Sequence, residues 1–209
     1  MYLFSRSAVL ADNDGLAWAT AMTEHAKRAT GLEIELWGQV WSPEFGRIAW
    51  TAMVPDLATL ATAGDAMAAD AAMTKEGAKG AALTNGGLDD ALYTIVHGEI
   101  APAAPAAEYV TAVSSVCANG QTGKAMAAGV EIAQRAEKIT GTTTMFVANV
   151  TGIYGGVGWI TGHANIAELE ASQQAMAHDV EWSKEVDKLA TTFASDPSAT
   201  NSVILRRFV

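Results

Sequence analysis

Residues 142–163, TTTMFVANVTGIYGGVGWITGH, decide the fold. Two apolar, β-branched runs flank a glycine-rich turn, the pattern of a β-hairpin. An echo lies at residues 33–54, EIELWGQVWSPEFGRIAWTAMV, where residues 42–46 make the turn. Trp50 and Trp159 hold matching places 109 residues apart, and the same spacing relates Met67-Ala68-Ala69-Asp70 to Met176-Ala177-His178-Asp179. In a chain of 209 residues this spacing means an internal duplication.

Outward from the hairpins the two halves follow one plan. Residues 2–10 and 109–117 read as strands. Trp18, Met22, Ala26 and Ala29 form one helical stripe, and Ala125, Ala128, Ile132, Ala136 and Ile139 form the other. Asn13 or Asp14 is the expected N-cap of the first helix, and Thr30-Gly31 and Thr140-Gly141 are the stops. After each hairpin, Asp56 and Asn165 cap a second helix, with Glu168 in the capping-box place. Asp70 and Asp179 end those helices, and Thr74 and Ser183 are expected to cap short continuations. Residues 91–98 and 202–208 supply the last strands.

Each half is therefore β-α-β-β-α-β, the ferredoxin-like order, with helices on one face of a four-stranded sheet. The fold class is α+β: two tandem repeats whose antiparallel sheets pack face to face into a barrel-like unit. The expected boundaries are residues 1–98 for the first repeat, 99–108 for an Ala/Pro linker and 109–209 for the second repeat.

Composition narrows the function classes. Half the residues are hydrophobic and 17% are charged, the balance of a folded chain. A net charge of −10 argues against nucleic-acid or anionic-membrane partners, which need clustered Lys and Arg. Cys117 is the only cysteine, so neither an internal disulfide nor a cysteine-based metal site fits. Without a long apolar run or signal peptide, the expectation is a cytoplasmic protein.

Along a strand, alternate side chains point to opposite faces. This alternation places Trp37, Gln39 and Trp41 of the first hairpin on the non-helical face. The same face is expected for Trp50, and for Trp159, Thr161 and His163 of the second hairpin, with Asn149 nearby. An apolar, indole-rich space with a few polar groups describes a small-ligand pocket. The plain alternative is that each tryptophan is core, with its N–H bonded to a near acceptor. Arg6 is expected to reach this space and pair with a carboxylate. His163 is the expected proton carrier, since imidazole titrates near neutral pH, with Asn149 or Gln39 assisting. A strand-end histidine bonded to a loop group is the structural alternative. No metal-ligand spacing, Walker loop, dinucleotide fingerprint or nucleophile elbow occurs.

The duplicated order resembles the dimeric α+β barrel superfamily. The run Asp179-Val180-Glu181-Trp182 is similar to the D-x-E-W stretch of NIPSNAP-like members. The first half keeps Asp70 but has Ala72-Met73 in place of Glu181-Trp182. The resemblance implies cofactor-independent monooxygenase, isomerase or cyclase chemistry, while the indole-rich face itself suggests an apolar metabolite, aromatic or not, with Trp37, Gln39, Trp41, Trp50, Trp159 and Thr161 as ligand contacts. It also admits haem, as in chlorite-dismutase relatives, though the expected cofactor is none. A non-catalytic interaction or assembly protein is the competing class, and a homo-oligomer is left open.

Overall fold

The structure, a computed structural model, describes residues 1–42, 44–99 and 106–209. Most of the expected linker, and Pro43 of the first turn, lie outside the described residues. Among the described residues, eight strands and seven α-helices follow the duplicated order. The first repeat comprises β1 (Tyr2–Val9), α1 (Asp14–Thr30), β2 (Ile34–Val40), β3 (Arg47–Val54), α2 (Leu57–Ala69), α3 (Ala71–Gly77), α4 (Gly80–Leu83) and β4 (Asp89–His97). The second comprises β5 (Tyr109–Val116), α5 (Thr122–Thr140), β6 (Thr144–Asn149), β7 (Gly156–His163), α6 (Ile166–His178), α7 (Val180–Ala190) and β8 (Asn201–Arg207). The order of neighbouring strands is β4-β1-β3-β2 in one repeat and β8-β5-β7-β6 in the other, the ferredoxin-like arrangement.

Two compact units divide the chain: Met1–Leu92 with Arg206–Val209, and Tyr93–Leu205. The last strand of each repeat changes unit partway along. In the first unit the Phe208 N–H donates to the Leu36 carbonyl and the Leu36 N–H to the Val209 carbonyl, so the end of the chain covers the free edge of β2. In the second unit residues 93–97 pair antiparallel with β6 and cover its edge. Neither hairpin leaves an open ladder at these positions. Gly38 permits the first closure, because a Cβ there would lie 2.2 Å from the Phe208 ring.

The helix ends have local causes. Gly31 and Gly141 take the left-handed conformation, φ 69° and 72°, and their N–H groups bond back to Lys27 and Glu137. Asp56 and Asn165 cap α2 and α6 through the Thr59 and Glu168 N–H groups. Glu168 in return accepts from the Ala164 N–H, one position before the cap. Asp70 and Asp179 end α2 and α6 as expected, and two other expectations, the α1 cap and the caps of the short continuations, are corrected. Asp12, not Asn13 or Asp14, accepts the first free N–H groups of α1, those of Asp14 and Gly15. Asp70 and Asp179 both end one helix and cap the next, accepting from Met73 and Trp182. Thr74 and Ser183 consequently lie inside α3 and α7 rather than capping them.

The two sheets pack on their first helices by equivalent positions. Gly15, Trp18, Ala19, Thr23 and Ala26 are buried on α1, and Ala125, Ala128, Gly129, Ala133 and Ala136 on α5. Small residues let helix and sheet approach closely. At Gly129 this is obligatory, since a Cβ would stand 2.1 Å from the Phe146 ring.

Candidate functional site: an apolar cavity under the helices of the first unit

The register fixes the tryptophans. Trp50 lies opposite Leu36 and Arg6, and directly paired residues share a sheet face. Leu36 is fully buried, and the Trp50 indole N–H donates to Thr23 Oγ1 at 3.0 Å and to the Ala19 carbonyl at 3.4 Å, both on α1. Trp50 therefore faces the helices. Trp159 does the same in the second unit, donating to the Gly129 carbonyl of α5 at 2.8 Å. Both were expected on the non-helical face. Tryptophan fits either face of a strand by size, and the acceptor offered by the first helix decides which face it takes.

By the same alternation Thr161 and His163 lie on the helix side of β7. Trp37 and Gln39 alone of the expected contacts keep the non-helical face, and the Trp37 N–H donates to Thr51 Oγ1 at 2.9 Å. Trp41 has left the sheet: it is 72% exposed with φ 50°, a left-handed conformation unusual for so large a side chain. The six expected ligand contacts thus do not form one group.

His163 and Asn149 are not brought together. Asn149 sits at the β6–β7 turn, where its Nδ2 donates to the Ile153 carbonyl at 3.4 Å. His163 is at the opposite end of β7, 1% exposed, with Nε2 3.3 Å from Thr111 Oγ1. Its Nδ1 is buried without a hydrogen-bond partner. Burial holds the imidazole pKa below its ordinary value, partly offset by the charge of Glu168. Thr161 joins the same polar row by its contact with Thr144 Oγ1 at 3.0 Å, and the Thr144 N–H donates to Glu137. Glu137 Oε2 in turn meets His97 Nε2 at 3.3 Å.

What the structure does assemble is a cavity of about 270 Å³ in the first unit, between the sheet and α1–α4. The sheet supplies Phe4, Arg6, Ile34, Trp50 and Ala52; α1 supplies Trp18, Met22, Ala26 and Thr30; α2 supplies Leu60, Ala63 and Met67. Met73, Gly77, Gly80 and Ala81 close it from α3 and α4, and residues 84 and 86–88 border it. The Trp18 indole holds the covering helices down by donating to the Glu76 carbonyl at 3.0 Å. Gly80 makes this approach feasible, because a Cβ there would lie 2.6 Å from the Trp18 ring. The Trp18 and Trp50 rings meet edge to face with centroids 5.8 Å apart and form one corner. Three unbranched methionines make an adaptable wall.

Arg6 is the charged member of the lining. Its Nε and Nη2 donate to Oδ1 and Oδ2 of Asp90, each at 2.7 Å, and its Cζ lies 5.7 Å from the Phe4 ring centre. The bonds to Asp90 raise the guanidinium pKa above its ordinary value despite partial burial. Arg6 thus pairs with a carboxylate as expected, but on the helix side. Sequence reasoning missed Phe4, Trp18, Met22, Leu60, Met67 and Met73 as cavity residues. One signal was available: the second repeat places Ala128 at the helix position of Trp18.

Among the described residues, no group of three or more His, Cys, Asp or Glu is placed to hold a metal ion. Among the described residues the cavity lining contains no His, Cys or Tyr, and its methionines are the side chains there of a type that ligates haem iron. No described helix is long and apolar enough to cross a membrane.

No family model and no curated protein matches the sequence. Solved structures match the whole chain by fold. A candidate monooxygenase of Fusobacterium nucleatum superposes with a TM-score of 0.70 at 8% identity, covering 100% of this chain and 92% of its own. An anthrone oxidase-like protein gives 0.69 at 12% identity, covering 100% and 91%. A haem-binding protein of Thermus thermophilus gives 0.52 at 9%, covering 100% and 91%. The fold is that of the dimeric α+β barrel proteins, and at these identities the likeness reaches no further than fold.

Proposed function

We propose that the first unit binds a small, apolar, planar metabolite in the cavity beside Trp18 and Trp50. The observation that carries this is the cavity itself: apolar walls, two indoles at one corner and a single charged residue. The transformation that goes with it is of the cofactor-independent monooxygenase, isomerase or cyclase type. The names of the structural neighbours, one of them anthrone oxidase-like, support that class by analogy of fold. Proton transfer by His163 would belong to a separate centre in the second unit and would use Nδ1, its buried and unpartnered ring nitrogen. Asn149, on β6 at the turn end of the hairpin, is not brought to that centre.

Quenching of tryptophan fluorescence by naphthalene tests the binding. The full chain is expected to bind it saturably. Ala63→Leu, which pushes an isobutyl group in from α2, is expected to abolish binding while the protein stays folded. Unchanged binding by that variant would place the ligand elsewhere.

A non-catalytic assembly role has one observation in its favour. Phe45 and Tyr154 hold equivalent positions in the two hairpin turns and are 84% and 94% exposed. Concentration-dependent association that Phe45→Ser and Tyr154→Ser abolish would support it, and a monomer at all concentrations would remove it.

A further inference from the structure

Resting on that reading of the cavity, we infer that its ligand carries one acidic oxygen, a carboxylate or phenolate, and seats it on Arg6. The argument starts from the donors and acceptors that the lining has left. The Trp18 and Trp50 N–H groups are committed to Glu76 and to Thr23 and Ala19. The hydroxyls of Thr30 and Thr84 donate to the Ala26 and Gly80 carbonyls, and that of Thr51, which accepts from Trp37, lies on the face of β3 opposite Trp50. Arg6 remains. Asp90 takes one edge of its guanidinium, the Nε and Nη2 side, and is not itself among the lining residues. The Nη1 side is not engaged by Asp90. Five donors in a rigid fork, with one edge pinned by Asp90 and Cζ held over the Phe4 ring, leave the other edge pre-oriented for an oxygen. Among the described residues, no carboxylate lines the cavity to receive a cationic ligand. The ligand therefore presents an acceptor, and an anionic oxygen makes the stronger, charge-assisted bond.

Three probes of one shape separate the possibilities in equilibrium titrations of the full chain: naphthalene, 2-naphthoate and the 2-naphthylmethylammonium cation. The expected order is naphthoate at least tenfold tighter than naphthalene, with the cation weakest. Arg6→Gln is expected to bring naphthoate down to the affinity of naphthalene and leave naphthalene itself unchanged. Asp90→Asn keeps an acceptor for the guanidinium but removes the competing negative charge, and is expected to tighten naphthoate severalfold, which decides the matter should Arg6→Gln fail to fold. Equal binding of naphthoate and naphthalene by the unaltered protein would overturn the role of Arg6 and leave the cavity reading standing. Failure of all three probes to bind would overturn both.

Discussion

Trp50 and Trp159 are the same residue in two copies of one unit, yet they meet different surroundings. Each indole donates to the same place on the first helix, the carbonyl of Ala19 or of its equivalent Gly129. Around Trp159 the neighbours are large: Phe146 and Phe193 lie with ring centres 5.3 and 5.4 Å away. Around Trp50 the position of Phe146 is held by Leu36, and the edge-on ring is Trp18, which comes from the helix instead of from the chain after it. Beside Trp50 the wall is rich in Ala, Gly and Met, with Phe4, Arg6, Ile34 and Leu60 among them, and a cavity stays open. One copy spends its aromatic volume on packing; the other arranges it as a wall. Duplication permits this, because one copy can carry the core while the other keeps a space.

The largest expected effect tests the packed copy. Trp159→Ala removes the centre of the Phe146–Trp159–Phe193 stack and is expected to destabilise the protein by about 3–5 kcal/mol, read from denaturant midpoints. Loss of less than about 1 kcal/mol would show that the stack is not the core of that unit. Next comes the helix position that the two copies fill differently. Gly129→Ala drives a methyl group into the Phe146 ring and is expected to cost about 1–3 kcal/mol. Ala19→Gly, the reverse exchange in the first unit, should cost only the helix propensity of about 1 kcal/mol.

A third prediction concerns His163. Its imidazole is held neutral by burial, so the unfolded chain takes up a proton that the folded chain resists. Stability is therefore full above the ordinary histidine pKa of about 6.5 and falls as pH drops below it, by at most about 1.4 kcal/mol per unit. Thermal midpoints between pH 7.5 and 5 should show this decline, and His163→Gln should flatten it. An unchanged slope in the variant would assign the decline to other groups. Ala63→Leu is expected to cost about 1–3 kcal/mol for added volume, although it removes ligand binding altogether.

Much of the fold was legible because helices and turns are specified locally. The stripes of α1 and α5, the glycine stops and the Asp56 and Asn165 caps are each set by residues within a few positions. The phase of β3 and β7 was not legible. In β3 the sets Ile48, Trp50, Ala52 and Ala49, Thr51, Met53 are both mixed in size, so alternation alone does not say which lies under helices. The answer is held by Thr23, Ala19 and Gly129, distant in sequence, whose oxygens receive the indole protons. A phase error of one residue moved Trp50, Trp159, Thr161 and His163 together, as period-2 geometry requires. The Arg6–Asp90 pair spans 84 positions, and no local pattern announces it.

Methionine methyl NMR tests the central claim, that the open copy and not the packed copy takes the ligand. Met22, Met67 and Met73 line the cavity, while Met126 and Met145 belong to the second unit. On adding 2-naphthoate, ring-current shifts are predicted for the first three methyl groups and none for the other two. Shifts at Met126 and Met145 with Met22, Met67 and Met73 unmoved would contradict the account.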